Sequence, residues 1–276
     1  MANQVAAAEG KTLPPSADPE QARAGIDLLN EPGWRCVDSG DWKRMLVLSE
    51  EAMELSHAHG YMKGLAESFR NAAFAHYSLS SYKFALAEAF VALRMAEELE
   101  DRSNEAMTRI VIALVQWSLG KYEEALTEAF RSLQILEPQG ESWAMGWSTI
   151  IGGILHSVRD YDRALSYHER GNRIFAGQGY RLGEARTLTG IGTVHQSLGD
   201  LESALKCYER SLELYRAIGS AAGESRALND IATVYQARGE GERALELHLE
   251  ALRIRREHDN PQGQTTSLLH LGRLYL

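Results

Sequence analysis

The chain has 276 residues, 44% hydrophobic and 24% charged, and its 38 acidic against 29 basic side chains give a formal net charge of −9. A phosphate backbone asks for a basic stripe, so this balance speaks against nucleic acid as a partner. No apolar run is long enough to span a bilayer and no charged-then-apolar secretory start is present. Two distant cysteines, Cys36 and Cys207, make no disulfide framework, and the expectation is a cytoplasmic protein without a membrane partner.

In chain order, residues 1–17 carry Pro14 and Pro15, little apolar bulk and no period, which predicts a disordered N-terminal segment. Asp18-Pro19-Glu20 then places an N-cap before a proline at the first helical position, so a helix runs towards Asn30. Pro32 and Gly33 fall where the core of a first helix should lie, and a proline there removes a backbone donor. The first unit, 18–60, is therefore expected to be irregular, with short helices around Pro32 and a second helix over 42–58. Trp34 and Trp42 are expected to fill the space at this end.

Over 61–260 the periodicity predicts regular pairs. First helices lie near 64–78, 102–118, 142–157, 181–197 and 221–237, and second helices near 82–98, 122–136, 161–176, 201–217 and 241–257. A truncated or capping helix, 261–276, ends in the apolar LLHLGRLYL, with Leu268, Leu271, Gly272 and Tyr275 in the register of Leu228, Ile231, Ala232 and Tyr235. Its apolar face predicts a cover: further sequence, a partner, or a second copy of the chain in a homodimer.

The register comes from one step in the second helices, Met45, Ala85, Ala125, Ala164, Ala204 and Ala244. Three residues earlier stand Trp42, Tyr82, Tyr122, Tyr161, Leu201 and Gly241, at spacings of 40, 40, 39, 40 and 40. A fixed period of this size marks a repeat array. A small residue at one helical phase admits a neighbouring helix, and a second small position seven residues on (Ala52, Ala92, Ser132, Gly171, Ser211, Ala251) keeps that face open over two turns. In a first helix, Leu188, Ile191 and Leu198 flank Gly192 at the closest approach; Leu228, Ile231 and Tyr235 flank Ala232 in the next. Gly60, Gly140, Gly179 and Gly219 end second helices, and Gly64, Gly183, Gly223 and Gly263 follow four residues later, which suits C-caps and short loops.

The string Leu188, Ile191, Gly192, His195, then Gly199, Asp200, Leu201, Ala204, Tyr208, Ser211 resembles a tetratricopeptide repeat. That resemblance implies an all-α fold of tandem antiparallel helix pairs, stacked in a right-handed superhelical solenoid of about six and a half repeats. The usual unit is about 34 residues. The longer units here are similar to variants in bacterial regulators, kinesin light chains and cell-polarity adaptors.

A search for chemistry finds little. His57 and His59 point apart on a helix, so no metal site is expected. His76 with His195, and His168 with His248, occupy two shared repeat positions and read as semi-buried packing residues. Gly152-Gly153 and Gly190-x-Gly192 lie inside helix patterns rather than after a strand, so no phosphate loop and no cofactor is expected. There is no G-x-S-x-G or H-E-x-x-H, and Glu123, Glu124, Glu246 and Glu250 read as a solvated convex face. No enzyme is expected.

In the resembled family the first helices line a concave groove. The residues assigned to that groove are Arg70, Phe74 and Tyr77; Ile110, Leu114 and Trp117; His156; Arg186, Thr189 and Thr193; and Arg226, Asn229 and Thr233, with Gln196 beside them. Helix 102–118 stands out: Ala106, Ile112, Val115 and Leu119 supply a packing side, yet Met107, Ile110, Val111, Leu114 and Trp117 make the other side apolar too. Such a helix binds something or is buried all round. Arg186 and Arg226, 40 residues apart, would receive an acidic group. The family's clamp for chaperone C-termini needs a Lys and an Asn one turn apart; Arg70 and Phe74 stand there instead. The reading is a protein or peptide-binding module of regulatory type. Its rivals are the sensory front end of a larger bacterial signalling enzyme, such as a nucleotide cyclase, diguanylate cyclase or histidine kinase, and a structural dimer scaffold.

Overall fold

The computed structural model describes residues 18–31, 41–136, 141–258 and 261–274, with the side chains of 141–146 and of several positions in 261–274 left aside. Among the described residues there are thirteen helices and no strand. They fall into two compact units, one within residues 1–139 and one within 140–276.

The first unit holds α1 (Pro19–Asn30), α2 (Trp42–Ala58), α3 (Met62–Ser78), α4 (Tyr82–Glu98), α5 (Arg102–Ser118) and α6 (Tyr122–Leu136). The second holds α7 (Glu141–Ser157), α8 (Tyr161–Gly177), α9 (Arg181–Ser197), α10 (Leu201–Ala217), α11 (Ala221–Ala237), α12 (Gly241–Glu257) and α13 (Pro261–Leu274). In each unit chain neighbours pack as hairpins, and alternate helices also touch: α1 with α3, α3 with α5, α7 with α9, α11 with α13. The expected 1–17 segment, Trp34 and the second short helix after Pro32 lie outside the described residues. Trp42 does fill its end of the array, edge-on to Phe74 at 5.8 Å.

One turn chemistry recurs. An aspartate caps the next helix, as Asp41 accepts from Arg44 N, Asp101 from Asn104 N, Asp160 from Arg163 N and Asp200 from Ser203 N at 3.1–3.3 Å. The preceding helix closes with a left-handed residue and a six-to-one bond: Gly199 has φ 82° and the Asp200 N–H reaches His195 O at 3.0 Å. Gly60, Gly179 and Gly219 behave as expected of C-caps; Gly140 lies outside the described residues. Gly64, Gly183 and Gly223 do not. They sit in the first turns of α3, α9 and α11, where Tyr61, Phe175 and Tyr215 occupy the space a Cβ would need. Gly263 likewise belongs to helix α13.

The two small positions of every second helix are buried, from Met45 and Ala52 to Ala244 and Ala251. The serines among them bond across their own pair: Ser132 Oγ donates to Ala106 O at 2.7 Å, and Ser211 Oγ to Ala185 O at 2.9 Å. A leucine there would displace both the contact and the bond. Gly192 is at the predicted close approach, since a Cβ would lie 2.7 Å from the Tyr208 ring. Leu119 corrects the packing expectation for α5: it caps the helix and is 45% exposed. Leu268, in the register of fully buried Leu228, is 52% exposed. There α13 packs on α12 and α11, and the described residues add no later helix to cover it.

Candidate functional site

The first helices form a layer in each unit, and their side chains are cross-linked by hydrogen bonds between residues 34–41 apart. In the first unit Arg70 Nη1 donates to Asn104 Oδ1 at 2.7 Å and Arg70 Nη2 to Asn71 Oδ1 at 3.2 Å. Asn71 Nδ2 continues to Asn30 O at 3.1 Å, and Asn30 Oδ1 accepts from Ser68 Oγ at 3.0 Å. A buried polar chain thus links α5, α3 and α1. Each link satisfies a donor that burial would otherwise leave costly. Tyr77 pairs with Ser118, and burial raises its hydroxyl pKa. Phe74 joins Trp42 and Tyr77 in one aromatic row.

The second unit repeats the device with different groups. His156 Nε2 lies 2.8 Å from Ser197 Oγ, and burial lowers the imidazole pKa, favouring the neutral ring. Gln196 Nε2 donates to Thr233 Oγ1 at 3.0 Å, while Tyr208 OH donates to Gln196 Oε1 at 2.9 Å and lies 3.2 Å from Thr193 Oγ1. Thr189 Oγ1 meets Ser211 Oγ at 2.8 Å. Asn229 turns inward. With its amide oriented to donate to His248 Nδ1 at 2.7 Å, its oxygen accepts from Arg255 Nη1 at 2.8 Å.

These positions sort the expected groove residues. Phe74, Tyr77, Leu114, Trp117, His156, Thr189, Thr193 and Thr233 are half-buried, and Arg186 and Arg226 are exposed. Ile110 and Asn229 are corrections, at 5% and 3% exposure. Ile110 stands on the inward side of α5 beside Val111, which packs with Ile112, Ala73 and Leu93. Asn229 is taken by His248 and Arg255. Much of the apolar surplus of α5 is therefore spent inside its own unit. Arg70 is buried as well, so it faces a cavity rather than a wall.

Three further features bear on the site, of which only the packing role of His168 is legible in the sequence. Arg109, 11% exposed by side chain, holds Glu97, Glu105 and Glu128 at 2.7–2.9 Å and ties α4, α5 and α6 together. His168 is 3% exposed and wedged between α7 and α9: Cβ atoms at Gly152 and Gly190 would meet its ring at 2.7 and 2.5 Å. Burial, helped by His156, pushes its pKa down to about 4. Asp230 buries Oδ2 without a hydrogen-bond partner, and burial pushes its carboxyl up to about 7 against the pull of Arg226 and Arg255. The packing role expected of His168 holds, with the ring more deeply buried than expected, and Gly152 and Gly190 are the small residues that admit it. Among the described residues no group of three or more His, Cys, Asp or Glu is arranged to hold a metal, and no helix is long and apolar enough to cross a membrane.

Paired helices, a repeated turn and a hydrogen-bonded first-helix layer define a helical-repeat protein. Family profiles described as tetratricopeptide repeat match residues 144–217 and 225–258. Residues 144–258 thus carry tetratricopeptide repeats, and the described helices have the fold of a tetratricopeptide-repeat solenoid. Among solved structures it is similar to the apo form of RapI, at TM-score 0.70 and 14% identity, covering 92% of this chain and 89% of that one. It is similar to NprR in complex with its cognate peptide NprX, at TM-score 0.65 and 17% identity over 84% of this chain and 71% of that one. It also resembles a Signal Transduction ATPase with Numerous Domains from Pyrococcus horikoshii that carries a tetratricopeptide repeat sensor, at TM-score 0.67 and 16% identity. There it covers 94% of this chain and spans 44% of the other. No curated protein matches the sequence.

Proposed function

We propose that the chain is a non-catalytic, regulatory interaction module that takes a peptide or protein segment on the face of its first helices. The carrying observation is the half-buried row of hydroxyls and amides on that face. Thr193, Gln196 and Thr233 are held in place by their neighbours and stay partly open to solvent. A peptide offers one N–H and one C=O per residue, which groups able to donate and accept can match. NprR, of similar fold, is solved with its cognate peptide, and this supports the reading.

In the first unit Trp117 and Leu114 give the same face an apolar anchor. In the second, exposed Arg186 and Arg226 suit an acidic group. A second reading, a sensor ahead of a signalling enzyme, draws support from the similarity to the ATPase with a repeat sensor. Binding peptides selected from a random library test the proposal. Those that engage the first unit should lose about 2 kcal/mol of affinity on Trp117→Ala, as a buried aromatic hot spot does. Those that engage the second should show a flatter salt dependence on Arg186→Ala with Arg226→Ala. Unchanged affinity and salt dependence in both variants would overturn it.

A further inference from the structure

On the outer side of the first unit one second helix departs from the others. In α4 the residues Phe84, Ala87, Phe90 and Val91 fall on one helical face. Phe84 is 63% and Phe90 53% exposed, Ala87 is exposed and Val91 half-buried. At the same four repeat positions the other second helices carry at most one apolar residue: Val47 in α2, Phe130 in α6, Leu249 in α12, and none in α8 or α10. Burial raises the Glu88 pKa, and Glu50 of α2 is close enough to add to it, so α2 and α4 lie side by side. Exposed Val47 therefore stands on the helix next to the α4 stripe. An apolar face of this kind, rimmed by charge, marks an interaction surface.

The rim is arranged end to end. Exposed Lys43, Arg44 and Lys83 stand in the N-terminal halves of α2 and α4, and Glu50, Glu51, Glu54 and Glu98 in the C-terminal halves. The groups of the other sign are engaged within the chain. Asp41 caps α2 at Arg44 N, Glu88 is 2.7 Å from His76 Nδ1, and Arg94 is 4.0 Å from Glu98, which leaves the C-terminal halves acidic overall. Such a surface complements its own copy turned end for end. A two-fold axis lying in the contact plane and running across the helices sets α2 on α2 and α4 on α4, each pair antiparallel. The apolar stripes then meet at the centre, and each basic half faces an acidic half.

We infer that the outer face of α4, with Val47 of α2, is a two-fold contact between two copies of this chain, in which Arg44 of each copy faces Glu54 of the other. Apolar burial at the centre holds the contact, and the charged ends fix its direction. The inference is separate from the function proposed above, which concerns the first-helix face.

Sedimentation equilibrium of the full chain from about 1 to 300 µM tests it, with a dimer of micromolar dissociation constant expected for the wild type. Phe84→Glu with Phe90→Glu should leave a monomer over that range, with an unchanged circular dichroism spectrum because both side chains are exposed. Arg44→Glu alone and Glu54→Lys alone should each weaken the dimer roughly tenfold at low salt, by setting like charges opposite one another. The two together in one chain should restore it. A wild type that stays monomeric at about 300 µM overturns the inference and leaves the face to a different partner. A dimer that survives the phenylalanine substitutions but is lost on Leu268→Glu overturns it in favour of α13. Failure of the double charge reversal to restore the dimer overturns the antiparallel arrangement.

Discussion

Lowering the pH should loosen the second unit through His168 before it affects the rest of that unit. The imidazole has a folded pKa of about 4 because burial between Gly152 and Gly190 disfavours its charged form. In the unfolded chain it titrates near 6.5. The unfolded state therefore binds the extra proton between these values. The stabilising effect is fully present above the unfolded pKa and is lost as pH falls towards 4. Between pH 7.5 and 5 the difference in protonation amounts to about 2 kcal/mol at 1.36 kcal/mol per pKa unit. Hydrogen exchange of α8, corrected for intrinsic rates, should show that loss in the wild type. In His168→Gln, whose side chain does not titrate, the opening free energy of α8 should be nearly level over the same window, whatever its absolute value. An equal pH slope in both proteins would refute the assignment of the buried neutral imidazole.

Asp230 should act with the opposite sign. Its folded pKa of about 7 lies above the unfolded value near 3.9, so its cost grows as pH rises. The stability gained by Asp230→Asn should increase by roughly 2–3 kcal/mol from pH 5 to pH 8, read by urea unfolding; a constant difference would contradict it. Ala204→Leu or Ala244→Leu overpacks a fully buried contact and should cost about 1–3 kcal/mol, concentrated in its own helix pair and the neighbouring helices by hydrogen exchange. Unchanged exchange there would contradict the register.

The second helices were the most legible part of the chain. Trp42–Ala58, Tyr82–Glu98 and Leu201–Ala217 begin and end where the 40-residue register puts them, because a buried alanine or serine at one phase must recur whenever the same two helices meet. Facing was harder to read. Ile110 and Asn229 flank the packing stripe, and a residue one step from such an edge turns in or out according to its neighbours. For Asn229 those were His248 and Arg255, which no local pattern connects to it. The network from Asn30 to Asn104 was hidden for a similar reason: asparagines at 30, 71 and 104 do not follow the repeat spacing, and the one at 30 belongs to the irregular first unit. Leu119 fits the apolar period of α5 but falls at the C-cap, where the chain turns away from the core.

The central claim is that the first helices, not the second, receive the ligand. A library-selected peptide carrying a photo-crosslinker, irradiated on the full chain and mapped by mass spectrometry, tests it most directly. Crosslinks should fall on Tyr77, Leu114 or Trp117 in the first unit, or on His156, Thr193 or Thr233 in the second. Crosslinks confined to exposed second-helix residues such as Phe84, Phe90 and Leu249 would contradict it.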